Sequence, residues 1–339
     1  MSAAHSVIHH SPEAVDIAGK AQAGMRLVAD IGGTNARFAL LSESGSIDHQ
    51  MILACADYPD ITTAIQHYLS QVAAPTIRQA ALAIANPIAG DWVEMTNHQW
   101  AFSIQETCQA LGFDEMIFKN DFTALAMSIP LLKAGDLHQI GGIAPSEKGS
   151  SVAVIGPGTG LGVSGLLKRG DQWVPVEGEG GHVSISPGTA RECDILQLCW
   201  QQFPHVSAER LISGMGLQNL YQAICQLEGV AAKSLEPAEI SAMGLSGEDA
   251  CCAEALATFC SLLGSVAGDL VLTLGAFRGV YIGGGIVPKL GSYFETSGFR
   301  ERFEAKGRFR KHLEQVPAFV INAKNPALFG ISQAFSLKG

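Results

Sequence analysis

One pattern is written twice in this chain. Residues 26–31 (RLVADI) form an apolar strand-like run that enters Gly32-Gly33-Thr34-Asn35, and residues 36–41 resume as a second apolar run. Further along, residues 151–155 run into a glycine cluster at 156–162 (GPGTGLG), and residues 163–167 return as a strand. Each unit reads as a hairpin, two apolar strands joined through glycines that permit a tight turn. Two such units in one chain suggest duplicated α/β domains with a cleft between them. Length agrees, since 339 residues exceed the size to which one hydrophobic core usually grows.

Glycines let the backbone approach a bulky anion and aim N–H groups at it. Thr34 and Asn35 add donors, and Asp30 supplies a carboxylate for a hydrated cation. A plain hairpin also uses Gly-Gly, so one turn alone leaves both readings open; two turns suggest that a single polyphosphate is held between them. Neither cluster is a Walker A loop, because no lysine follows, and Val163 stands where the dinucleotide fingerprint needs its third glycine.

Between the hairpins lies FKNDFTA. An apolar run (residues 116–118) passes Lys119 to end in Asn120 and Asp121, and a helix-forming run follows at 124–127. Strand ends followed by helices face the ligand crevice of open α/β sheets. Asp121 is therefore either a carboxylate placed to act or the N-cap of that helix. A second polar cluster, residues 177–182 (EGEGGH), is followed downstream by Ser207-Ala208-Glu209-Arg210. A lone histidine in a glycine turn is commonly a surface residue, yet Glu179 and His182 in one turn also suit sugar hydroxyls, which need bidentate acceptors and a donor. No second histidine or cysteine stands at ligand spacing, so a metal site is not expected there. Residues 279–282 form a strand ending in Gly283-Gly284-Gly285, where a flat ring can lie against backbone.

Composition narrows the partners. A net charge of −10 opposes nucleic acid over most of the surface, so any anion must be held locally. The basic run from Arg300 to Lys311, interleaved with Glu301 and Glu304, reads as a solvated helical face. Eight cysteines without a CxxC pair read as reduced thiols in a cytosolic protein. Residues 1–24 lack a basic segment followed by an apolar run and read as a disordered tail, not a secretory signal. The apolar stretch 255–277 is interrupted by Asp269 and carries Gly264 and Gly268, which fits a buried helix packed through small residues and no membrane span.

Taken together, LVADIGGTNARFAL, MTNHQWAFS, NDFTALAMSIP, GTGLG, GEGGHV, HVSAERLISG and GGGIVPK resemble the bacterial glucokinases of the actin-like, hexokinase-related ATPase superfamily, over nearly all of residues 25–337. The resemblance implies a two-domain actin-like (RNase H-like) fold. The first unit is expected over 25–130, completed by 322–339, and the second over 131–321. It implies ATP and Mg²⁺ as cofactors, glucose as partner and a cytoplasmic homodimer. Asp30, Gly32, Gly33, Thr34 and Asn35 become the first phosphate element, Gly158, Thr159 and Gly160 the second, and Gly283, Gly284 and Gly285 the adenosine element. Asn120, Asp121, Glu179, His182 and Glu209 become sugar ligands, with Asp121 the general base and Asp30 the Mg²⁺ contact through water. The related repressor-and-kinase family carries a cysteine-rich zinc motif after its GH turn; this chain has only Cys193 there, which points to the zinc-free branch. The resemblance assigns Lys119 no role.

Overall fold

Register decides where the site lies. The computed structural model describes residues 24–72, 77–143 and 149–336, and the expected tail, apart from Gly24, lies outside them. The first sheet begins with an antiparallel meander, β1 (Arg26–Ile31), β2 (Asn35–Leu41) and β3 (Ile47–Ala54). Helix α1 (Ile61–Gln71) follows, started by Asp60, whose side chain accepts from Thr63 N at 2.7 Å. Strand β4 (Gln79–Ile84) is buried from Ala80 onward, as befits a central parallel strand covered on both faces. A small ribbon, β5 (Trp92–Glu94) with β6 (Ala101–Ser103), leads into α2 (Ile104–Ala110), which Ser103 caps by accepting from Glu106 N. Strand β7 (Glu115–Asn120) completes the order β3-β2-β1-β4-β7, with β1, β4 and β7 parallel.

Helix α3 (Asp121–Ser128) carries the chain toward the second sheet. There β8 (Leu137–Ile140) takes the outer edge, and β9 (Ser151–Pro157), β10 (Leu161–Arg169) and β11 (Gln172–Val176) repeat the antiparallel meander. Helices α4 (Ala190–Gln202), α5 (Gly214–Leu227), α6 (Pro237–Ser246) and α7 (Ala250–Leu274) cover one face. Strand β12 (Val280–Ile282), short helices α8 (Val287–Leu290), α9 (Ser292–Thr296), α10 (Phe299–Glu304) and α11 (Arg310–Leu313), and strand β13 (Ala318–Ile321) follow. The order is β11-β10-β9-β12-β13-β8, with β9, β12 and β13 parallel. Setting β8 aside, both sheets have one plan: three antiparallel strands, then two parallel ones beside the first.

The last helix, α12 (Pro326–Ile331), returns to lie on α3. A Cβ at Gly330 would overlap the carbonyl of Ala124, so the helices touch backbone to backbone. Together they form a layer between the sheets, with Val28 and Ala83 from the first sheet and Val154 and Tyr281 from the second in one core. Each sheet has its own core on its other face, around Phe38, Tyr68 and Trp100 in one and Leu256, Phe259 and Leu263 in the other.

Helix α7 is long and apolar enough to cross a membrane, and here it is core. The absent side chains at Gly264 and Gly268 admit the carbonyls of Phe299 and Phe303. The basic run departs from its expectation. It is broken into α10, a 3-10 turn and α11, and its first members point inward. Arg302 grips the buried Glu192 through both terminal nitrogens, at 2.5 and 3.0 Å, and Arg300 donates to the carbonyls of Leu313, Glu314 and Val316. Lys306 donates to Asp269 and to Ser265 O. Charge spacing shows only the i,i+4 pair of Arg300 with Glu304; the carboxylate partners of Arg302 and Lys306 come from α4 and α7.

Candidate active site

The parallel register aligns three strand ends. Ile31 pairs with Ile84, and Ile84 with Asn120, so the first glycine turn, Asn86 and Asn120-Asp121 emerge side by side along one sheet edge. Adjacent strands are about 4.8 Å apart, which places the turn and the carboxylate roughly 10 Å from one another. In the second sheet Ile155 pairs with Ile282, which brings the second glycine turn beside Gly283. Gly283 N donates to Ile155 O at 2.9 Å, and Gly284, at φ +78°, lies so close to Pro157 O that only glycine fits.

The first turn is closed by Gly32 N donating to Asn35 O at 3.0 Å. Gly33 lies against Asn97 of the MTNHQW stretch, whose backbone oxygen would be 2.9 Å from a Cβ there. Thr96 is held in turn by the buried Asn86, whose Oδ1 accepts from Thr96 N and Oγ1. The second turn is shorter than expected. Strands β9 and β10 stay paired through Gly156-Pro157 and Leu161-Gly162, leaving only Gly158-Thr159-Gly160 as turn. The outer glycines serve packing, since a Cβ at 162 would overlap the Phe122 ring and one at 156 would stand 2.7 Å from its edge. Glycine inside a strand pattern is the signal for such an approach.

At the head of α3 the two alternatives for Asp121 resolve. The N-cap is Asn120, whose Oδ1 accepts from Phe122 N at 2.9 Å and Thr123 N at 3.3 Å. The capping alternative for Asp121 is thereby displaced by one residue. Asn120 keeps its Nδ2, which reaches Asn86 O at 3.5 Å, free enough to turn to a ligand. Asp121 sits in the first turn, with Oδ1 accepting from Phe122 N at 2.9 Å. Burial pushes its carboxyl up to about 6, with the charges of Asp30 and Glu179 adding to the rise and the backbone N–H groups opposing it. Asp30 is itself raised by burial, partly offset by Arg37, its cross-strand neighbour at 3.5 Å.

Glu179 and His182 are exposed, on a 3-10 turn over Gly180–His182. Glu209 reaches the same place from far along the chain because Ser184 bridges Ser207, Ala208 N donates to Val183 O, and Glu209 N donates to Gly181 O. Its Oε2 accepts from Leu161 N at 2.9 Å. Glu209 therefore touches the second glycine hairpin directly, a link that sequence spacing does not reveal. The charges of Asp30 and Glu179 both act on the Asp121 carboxyl, and backbone pairing links Glu209 and His182 to the Glu179 turn.

The Glucokinase family model matches residues 27–338. The chain belongs to the glucokinase family. It is 52% identical over 313 residues to the glucokinase of Aromatoleum aromaticum, covering 91% of this chain and 94% of that one. The glucokinase of Chromobacterium violaceum is 50% identical over 314 residues, with 93% and 90% covered. Among solved structures, glucokinase from an Antarctic psychrotroph superposes with a TM-score of 0.83 at 38% identity, covering 93% of this chain and 99% of that one. The fold is accordingly the two-domain actin-like ATPase fold, and the chain is an ATP-dependent hexose kinase.

For a glucokinase, the glycine turns invite a direct test, and their surroundings select the position. A side chain at 160 would press on the Glu209 carboxylate, 2.5 Å from its Cβ, and so disturb both candidate subsites, whereas a Cβ at 158 meets open space. Gly158→Val should fold normally and raise KM for ATP by about tenfold or more, with KM for glucose little changed. Steady-state kinetics with each substrate varied in turn checks this, and an unchanged KM for ATP would remove the turn from the nucleotide site.

Proposed function

We propose that Asp121 is the general base of a glucokinase reaction in the cleft between the two sheets, taking the proton of the glucose 6-hydroxyl as its oxygen attacks the γ-phosphorus of ATP in line and ADP departs. The observation that carries this reading is a carboxylate raised to about 6, at a strand end aligned with the first glycine turn. A base that titrates near the working pH is half-ready to accept and later release a proton. Asn120, Glu179, His182 and Glu209 hold the sugar hydroxyls, and the backbone N–H groups of the two turns hold the phosphates. Gly283 to Gly285 receive the adenosine.

Among the described residues no group of three histidine, cysteine or acidic side chains forms a metal site. That fits Mg²⁺, which uses one or two carboxylates and completes its shell with water and phosphate oxygens. Asp30 would hold it, through water, and when bound it neutralises phosphate charge. The same reading makes the enzyme a cytoplasmic homodimer whose small-molecule partners are glucose and ATP, with no nucleic-acid or membrane partner; the net charge of −10 supports the exclusion of nucleic acid.

A coupled ADP-release assay across several hexoses tests the reaction, with glucose expected to give the highest kcat/KM. The pH profile tests the base. Because Asp121 must be ionised to act, kcat/KM should fall about tenfold per pH unit below pH 6 and level off above it. A profile flat down to pH 4.5 would show a carboxylate of ordinary acidity and remove the raised pKa from the argument, leaving the role to be tested by the Asp121→Asn variant.

A further inference from the structure

Lys119 has no part in the chemistry above, although it directly precedes Asn120 and Asp121. Strand alternation turns it to the face of Ile117, which packs into the layer between the sheets, while Met116 and Phe118 face the first sheet's outer core. The ammonium thus points across the cleft, where Nζ donates to Glu177 Oε1 at 2.6 Å. Glu177 lies on the opposite wall. The ladder of β11 against β10 ends at Val176, and among the described residues the next backbone bond is the one Glu179 O accepts from His182 N. Gly178 lies between, with open space where a Cβ would stand. The ion pair is therefore the side-chain tie on Glu177 and Gly178, the stretch between the end of the ladder and Glu179, whose own carbonyl is held by His182 N.

We propose that Lys119 and Glu177 form a clasp across the cleft that sets Glu179 against Asn120 and Asp121, making Lys119 a positioning residue for the sugar. The proposal rests on the reading of Glu179 as a sugar ligand. Side-chain exposures of 29% and 48% mean that the pair adds little to global stability, so its leverage is on the geometry of the sugar wall. The nucleotide turns are held by separate backbone bonds and do not depend on it.

Lys119→Met and Glu177→Gln should each raise KM for glucose by about three- to tenfold, leaving KM for ATP near wild type and the melting temperature within a few degrees. The double neutral variant should be no worse than either single one, since one interaction is lost only once. The exchanged pair, Lys119→Glu with Glu177→Lys, should recover most of the glucose affinity that either reversal alone loses. Unchanged KM values for glucose in the single variants, additive losses in the double variant, no recovery on exchange, or a parallel rise in KM for ATP would each overturn the clasp. Glu179→Gln separates the two levels of the argument. If it leaves KM for glucose unchanged, the sugar-site reading falls; if it raises KM while the clasp variants do not, only the clasp falls.

Discussion

Asp121→Asn should lower kcat by about two to four orders of magnitude while making the protein more stable at pH 8. The two effects have one cause. The carboxyl is raised from its ordinary 3.8 to about 6 by burial and by the charges of Asp30 and Glu179, so its ionised form is present in the fold at a cost. Below pH 3.8 both folded and unfolded chains carry the proton and the residue is neutral in its effect. Between pH 3.8 and 6 the unfolded chain ionises first, which favours unfolding; above 6 the penalty is complete. It amounts to about 1–3 kcal/mol, the lower end allowing for water in the open cleft. Asparagine keeps the acceptor for Phe122 N and removes the charge. Urea denaturation of both proteins from pH 4 to 8, without nucleotide or divalent cation, should show the variant's advantage growing to about pH 6 and then holding constant. Near wild-type turnover would remove Asp121 from catalysis, and a stability difference independent of pH would remove the electrostatic account. The expected pair of results, lost turnover with gained stability, illustrates the general conflict between a poised active-site charge and maximal stability.

Gly162→Val should destabilise the protein by about 3 kcal/mol or more. No room exists for the added carbons, because the Phe122 ring occupies the position of the missing Cβ against β10. Relief requires the ring to leave its slot. Phe122 N donates to both Asn120 Oδ1 and Asp121 Oδ1, so moving Phe122 also displaces the base and its capping neighbour. Activity should therefore fall along with the denaturation midpoint. Adding Phe122→Ala to Gly162→Val should restore part of the stability by vacating the slot, although Phe122→Ala alone destabilises by leaving a void. A wild-type midpoint for Gly162→Val, or strictly additive losses in the double variant, would refute the slot. This packing explains why the second glycine cluster is longer than its turn: three residues make the turn, and the flanking glycines seat the helix that carries Asp121.

Much was legible in the residues alone because it depends on near neighbours. Both hairpins and the glycine-notched helix α7 follow from alternation, turn chemistry and helical spacing. The several motifs in their order also carried the family. Tertiary structure alone decided which groups meet. Asn120, not Asp121, caps α3, a one-residue choice made by how β7 enters the helix. Glu209 joins Leu161 across 48 residues, and Lys119 joins Glu177 across 58. Arg300 and Arg302, whose spacing reads as a solvated face, are pinned inward by carbonyls and a carboxylate from remote segments. The physical reason is the same in each case. Propensity and periodicity act over a few residues, whereas strand register, helix docking and the approach of two sheets are set by through-space packing, which no short stretch of sequence contains.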